Sequence, residues 1–412
     1  MKSKGEKYIK AAEWGVFLVL LGFISTVTYM LFMKQVYGGG GSGVYESDMA
    51  AYILEMQGKD SGFSFPYPIY FKISAFFNLF MIPERAVSVA AVFLNSLAVV
   101  FIKLELEKTV KKSRFSGVLT SFVAVALFFV SMLHTFDLVY IPGIFWKYLG
   151  VFTSNPYHNA TFLAARPFAI LTYFKFCELL GTYEEKSAKW QDYALFSIYL
   201  LLSTMTKPSF TIVIVATAGL VMLYRLFAKR FKNFVPTIIL GLCFIPTFID
   251  LLYQYSGVFV PTVEEEVRGI GFSFGRVWGK YCENIPMAVV LAVGFPIVVL
   301  LFNIKKLKSD DHFRFSFQMY AVSFLMAYFL LEKGFRERDF NFSWSYMYGI
   351  FFAFVGAVKV MFDNMGELSE KEKKDRTTWD YLKLLMEWGA FLAHLLCGSV
   401  YFYHVFMGGN YK

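Results

Sequence analysis

The chain has 412 residues, 57% of them hydrophobic and only 17% charged, whereas a soluble domain carries roughly 25% charged residues. That balance excludes an ordinary soluble fold. The net charge of +9 does not point to nucleic acid, because the basic residues fall in short clusters between apolar runs. Those runs lack the alternation of a transmembrane β-barrel. They therefore predict helices, which satisfy their own backbone amides in hydrocarbon.

Lys2, Lys4, Lys7 and Lys10 precede the first run, Trp14 to Met33, twenty residues without a charge. It is long enough to cross a core about 30 Å thick at about 1.5 Å per residue. It is too long for a signal peptide and no small-residue cleavage site follows, so an uncleaved first span is predicted.

Segment 34–85 then forms the longest connection. Gly38-Gly39-Gly40-Gly41-Ser42-Gly43 is a flexible tether. Met49, Tyr52, Ile53 and Met56 follow at i, i+3, i+4 and i+7, one face of a short helix lying on the membrane surface. Ser47 and Asp48 stand at its start. In one reading Ser47 caps the helix and Asp48 complements its dipole. In the other, Asp48 is a general base, with Glu46 as its understudy. After Phe65-Pro66-Tyr67-Pro68, the stretch Ile69 to Ile82 holds Lys72 and Asn78 and has fourteen residues. It is too short to span and predicts a second interfacial helix.

Ten further spans are predicted near 86–102, 115–133, 161–180, 193–206, 208–224, 235–253, 286–302, 315–331, 343–362 and 388–407. The fold class is thus all-α and polytopic, with about eleven spans in a single transmembrane domain. The fifth and sixth meet at Thr206-Lys207-Pro208-Ser209 and form either two short spans or one re-entrant hairpin. Alternate connections carry basic clusters: Lys103 to Arg114, Arg225 to Lys232, Lys305 to Lys308 and Lys371 to Arg376. By the positive-inside rule these are cytoplasmic, as is the N-terminus, and the C-terminus lies outside the cell membrane. The outward connections 34–85, 134–160, 254–285 and 332–342 combine Pro, Gly, aromatics, carboxylates and arginines, a composition suited to a site. Glu264-Glu265-Glu266 reads as a solvated charge run. Asn159-Ala160-Thr161 and Asn341-Phe342-Ser343 match the glycosylation pattern by chance. Cys177, Cys243, Cys282 and Cys397 have no metal or redox spacing.

This layout resembles the GT-C superfamily of integral membrane glycosyltransferases. The resemblance rests on Asp48 and the helix after it, and on Phe65-Pro66-Tyr67-Pro68-Ile69-Tyr70. It extends to Asn155-Pro156-Tyr157-His158-Asn159, Arg166-Pro167-Phe168, Thr206-Lys207-Pro208-Ser209-Phe210, Glu332-Lys333-Gly334-Phe335-Arg336 and Asn341-Phe342-Ser343-Trp344. Such blocks are similar to those of bacterial polysaccharide-locus membrane proteins. The chain lacks an Asp-x-Asp pair, which Glu46 and Asp48 only approximate, so dependence on a divalent metal stays open.

The resemblance implies transfer of a sugar from a polyprenyl-phosphate carrier to a glycan, lipid or protein acceptor among the membrane lipids of the outer leaflet. Such chemistry needs a base for the acceptor hydroxyl, here Asp48 or Glu46. It needs cations for the leaving phosphate, here Arg166, Lys207, Arg336 and Arg338. Sugar recognition falls to His158, Asn159, Glu332, Asn341 and Trp344. The rival readings are a polysaccharide polymerase or ligase of another multi-span fold, a lipid-linked glycan transporter or flippase, and an inactive scaffold. A transporter would place ionisable groups at mid-span, and most of these spans have none.

Overall fold

The computed structural model describes residues 4–38, 44–110, 116–133, 152–185, 188–258 and 269–409. Its helices are α1 (Lys4–Gly38), α2 (Met49–Met56), α3 (Ile69–Asn78), α4 (Pro83–Thr109), α5 (Ser116–Ala126), α6 (Ala160–Thr182), α7 (Trp190–Thr206) and α8 (Ser209–Ala228). They continue with α9 (Phe234–Leu242), α10 (Ile245–Val258), α11 (Ile285–Ala292), α12 (Gly294–Asn303), α13 (Asp311–Phe329), α14 (Ser343–Glu370) and α15 (Thr378–Phe406). The glycine tether at 39–43, the first part of the 134–160 connection and the glutamate run lie outside the described residues.

Among the described residues, five helices (α1, α4, α8, α14 and α15) are long and apolar enough to cross a membrane. The count rises to seven if each of two bent pairs is one span: α9 with α10, at 45°, and α11 with α12, at 73°. These are the features of a polytopic helical membrane protein, and the expected eleven spans are not all met by helices of spanning length among the described residues. The physical reasons are specific. The apolar run at 115–133 is helical for only eleven residues. Helix α7 has 17 residues, and α6 carries Arg166, Lys175 and Glu178.

The expectation of pure helix also needs one correction. Strand β1 (Gly269–Phe272) pairs antiparallel with β2 (Leu330–Lys333), Gly269 opposite Lys333. The expected span at 315–331 therefore ends as strand. Segment 34–85 forms two short helices where the sequence places them, with α3 stopping at Asn78 rather than Ile82.

Helix α14 is buried on all sides, and a helix apolar all round belongs at the centre of a bundle. Side-chain contacts sort the helix ends onto two faces. On one, Lys103 of α4 lies over the Trp14 ring of α1. There too Arg225 at the end of α8 pairs with Asp311 at the start of α13, and Lys306 pairs with Glu367 near the end of α14. On the other, Lys34 near the end of α1 donates to the Phe406 carbonyl at the end of α15, and Ser345 of α14 donates to the Ser209 carbonyl of α8.

The chain reverses at Lys207-Pro208. The Thr204 and Thr211 hydroxyls are 2.8 Å apart, whereas two turns of continuous helix would separate such positions by roughly 10 Å. The run 193–224 is thus two helices meeting at a tight break.

A second departure from helix positions the site. After α5 the chain continues as irregular backbone through 127–133, and 152–159 is irregular too, yet both are buried. Non-helical backbone is tolerated at membrane depth only where protein satisfies it. Here Asn155 Nδ2 donates to the carbonyls of Leu127 (3.2 Å) and Val130 (2.8 Å). The Tyr157 hydroxyl donates to the Phe128 carbonyl at 2.9 Å, and Gln35 of α1 donates to the Tyr157 carbonyl at 3.1 Å. His394 of α15 completes the arrangement. Its Nδ1 lies 2.7 Å from the Ser131 carbonyl, and its Nε2 accepts the Phe295 N–H at 3.0 Å. One neutral imidazole, protonated on Nδ1, thereby joins the irregular segment to the first turn of α12.

Candidate functional site

The irregular segment 152–159 delivers Asn159 to the start of α6, where an amide side chain has a local task. Asn159 Oδ1 accepts the Phe162 N–H at 2.9 Å, capping α6. The same oxygen accepts from the Thr161 hydroxyl at 2.9 Å and from Lys207 Nζ at 3.1 Å. With every donor on Oδ1, the amide orientation is fixed and Nδ2 points the other way. It donates to Asp48 Oδ2 at 2.6 Å.

Asp48 occupies the N-cap position of α2 but makes no capping hydrogen bond. Ser47 Oγ instead accepts the Met49 N–H at 3.3 Å. The Asp48 carboxylate turns toward the protein, where Tyr52, one turn along α2, donates its hydroxyl to the same Oδ2 at 3.1 Å. The Tyr52 oxygen also lies 3.1 Å from Thr161 Oγ1. Asp48 N–H donates to the His158 carbonyl at 3.3 Å, pinning the two segments main chain to main chain. Oδ2 carries both side-chain bonds, Oδ1 carries none among the described residues, and the side chain is partly exposed. Burial lifts the Asp48 carboxyl above its ordinary 3.8, against the opposing pull of the Lys207 charge and of the Tyr52 and Asn159 hydrogen bonds.

Lys207 is only 8% exposed. The break between α7 and α8 aims it inward, where Thr161 Oγ1 accepts from Nζ at 3.3 Å. The ammonium sits over two aromatic faces, 4.9 Å from the Trp344 ring centre and 5.7 Å from that of Tyr67. Trp344 lies on the first turn of α14 with its ring 5.5 Å from His158 and 5.7 Å from Phe162. Burial, reinforced by the Lys207 charge, pushes the His158 imidazolium down to about 3. His158 is therefore neutral near pH 7 and stands with its ring against Trp344.

The structure thus brings together Asp48, His158, Asn159, Lys207 and Trp344 from the sequence reading. It adds Tyr52, Thr161 and Tyr67. Tyr52 carried a signal that was read only as apolar periodicity: it lies four residues after Asp48, on the same face of one helix. Thr161 belongs to the Asn159-Ala160-Thr161 glycosylation pattern, and its hydroxyl serves the cluster instead. Asn159 is 3% exposed, and its amide nitrogen is committed to Asp48.

The other predicted residues stand elsewhere. Glu46 is partly buried and makes no hydrogen bond or ion pair among the described residues. Arg166 is 1% exposed. It donates to the Ser154 carbonyl and is enclosed by the rings of Phe128, Phe162 and Phe351. Phe162, whose ring also faces Trp344, stands between Arg166 and the cluster. Its guanidinium holds the segment that carries Asn159. Glu332 of β2 accepts from Asn341 Nδ2 at 2.9 Å, and the Asn341 carbonyl accepts the Trp344 N–H at 3.3 Å, so this pair stands at the rim of the cluster beside Trp344. The Arg338 side chain is exposed, while its carbonyl accepts from the Tyr281 hydroxyl at 2.6 Å. The Arg336 side chain lies outside the described residues. Among the described residues, no three His, Cys, Asp or Glu side chains group as metal ligands would.

No protein-family model matches this chain, and no curated protein matches it.

Proposed function

We propose that the chain is a membrane glycosyltransferase of GT-C type, moving a sugar from a polyprenyl-phosphate carrier to a glycan, lipid or protein acceptor. The reading puts the face bearing α2 and α3 outside the cell membrane and the lysine-rich face in the cytoplasm. In favour of that orientation, Lys229, Lys306, Lys371 and Arg376 all stand at helix ends of the opposite face.

One observation carries the proposal. A carboxylate with one oxygen tied down and the other without a bond among the described residues stands one amide away from a buried ammonium, beneath aromatic rings. In transfer, the acceptor hydroxyl oxygen bonds to the anomeric carbon as the bond from that carbon to the phosphate oxygen breaks. The phosphate leaves with the electron pair. Asp48 Oδ1 takes the hydroxyl proton, which becomes acidic as the new bond forms. Lys207 stabilises the charge that grows on the leaving phosphate, and the dry surroundings strengthen that attraction. Asn159 keeps base and cation in register by holding both.

The test is transfer of radiolabelled sugar from a panel of polyprenyl-phosphate donors by the full chain in proteoliposomes. Asp48→Asn should lower turnover by about 10²–10⁴-fold, the usual contribution of a positioned base, with the thermal unfolding curve retained. Undiminished turnover in that variant removes Asp48 as the base, and no transfer from any donor by the native chain removes the activity.

A further inference from the structure

A groove of about 710 Å³ runs between α2, α3 and the end of α10, within the roughly 300–1,000 Å³ of small-ligand sites. Its wall includes Glu55, Phe63, Phe65, Phe71, Lys72 and Tyr253. None of the mechanism above uses it. Yet Phe65 and Phe71 pack edge-on against Tyr52, at 5.3 and 5.8 Å, and Tyr52 holds Asp48. Phe65 also touches Tyr67 at 6.0 Å, the ring beneath Lys207. The back of the groove is therefore the far side of the aromatic layer that carries the base and the cation.

We propose that this groove binds an oligosaccharide and, resting on the transferase reading, that it seats the acceptor glycan. Two features of the wall select that chemistry. Phe63 and Tyr253 are 66% and 70% exposed and offer open ring faces on which the C–H face of a sugar can stack. The side chains of Glu55 and Lys72 have no hydrogen-bond or ion-pair partner among the described residues and supply an acceptor and a donor for hydroxyls. A hydrocarbon tail in the same place would bury both charges unpaired, which is costly. An anionic ligand would meet the Glu55 carboxylate. A neutral polyhydroxylated chain satisfies both groups and covers the rings.

The experiment measures binding rather than turnover. The full chain in nanodiscs is screened against a panel of short neutral oligosaccharides by saturation-transfer NMR and on a glycan array. At least one should bind. Phe63→Ala and Tyr253→Ala should each weaken it about tenfold, equivalent to about 1.4 kcal/mol. Tyr253→Phe, which keeps the ring, should retain affinity, and so should Phe80→Ala, the same truncation at a ring outside the groove. Absence of any bound oligosaccharide, equal binding by the groove variants, or crosslinking of a photoactivatable isoprenoid to Phe63 and Tyr253 overturns the proposal. Binding with these properties but no transfer from any donor overturns the transferase reading alone.

Discussion

Asn159 Nδ2 donates to Asp48 Oδ2 across 2.6 Å, joining residues 111 positions apart in the chain. The bond locks the start of α2 to the start of α6, and the other end of the same amide holds Lys207. Loss of that amide therefore releases base, cation and helix cap together. Asn159→Ala should lower stability by roughly 2–4 kcal/mol, a charged hydrogen bond plus a cap. Asn159→Asp should recover the cap but set a second carboxylate against Asp48. Thermal unfolding in detergent distinguishes them; equal melting of Asn159→Ala and the native chain would show that the bond does not tie the segments.

The acid limb of the pH–rate profile should report Asp48. Its carboxyl is raised above 3.8 by burial, and Lys207 and then Tyr52 oppose the rise. The base works ionised, so turnover falls as pH drops through the raised value. The linked stability has the opposite sense: the folded chain binds this proton more tightly, so stability falls as pH rises from about 3.8 through the folded value. Lys207→Met should move the limb to higher pH, and Tyr52→Phe should move it less. A limb unmoved by Lys207→Met would separate the two residues.

His158 should impose its own acid sensitivity. Its imidazolium is pushed from 6.5 to about 3 by burial and by Lys207. The unfolded chain takes up this proton first, so stability should decline as pH falls from about 6.5 toward 3. His158→Phe keeps a ring beside Trp344 and removes the titration. Chemical unfolding across that range should show a flatter acid slope in the variant; an identical slope assigns the sensitivity to other groups.

His394 should be structural rather than catalytic. Its removal in His394→Ala orphans the Ser131 carbonyl and the Phe295 N–H, at roughly 1–3 kcal/mol for each buried group. The melting temperature should fall markedly and ligand affinity in the surviving folded fraction should change little. A variant that melts like the native chain would mean that water or main chain replaces the imidazole.

Gly398 of α15 tests whether the irregular segment positions the site from a distance. A Cβ there would lie 1.7 Å from the Phe129 carbonyl oxygen, so Gly398→Ala must push 127–133 away at a cost of about 1–3 kcal/mol or more. The displaced backbone is the one that holds Asn155 and Tyr157. Turnover should therefore fall in protein that still folds. Full activity with lowered stability would uncouple the segment from the site.

The sequence alone determined the membrane class, the two short helices of segment 34–85 and most helix positions, because these follow from local quantities. Run length against bilayer thickness, a 3.6-residue apolar period and clusters of lysine between runs are all legible within one window. Met49, Tyr52, Ile53 and Met56 gave α2, and interruption of the run after Ile69 by Lys72 gave a helix too short to cross. Asp48, Asn159 and Lys207 were legible as chemistry-bearing residues but not as a cluster. Only the tertiary structure decided that the apolar run at 115–133 stops being helix at Ala126. Its carbonyls are satisfied by Asn155, Tyr157 and His394, which no window containing the run includes. The same long-range pairing decided which cation faces Asp48. Arg166 and Lys207 are both buried, and their sequence contexts look alike. The break at Pro208 turns Lys207 toward Asn159, while the Ser154 carbonyl and three phenylalanine rings keep Arg166 behind the segment it supports.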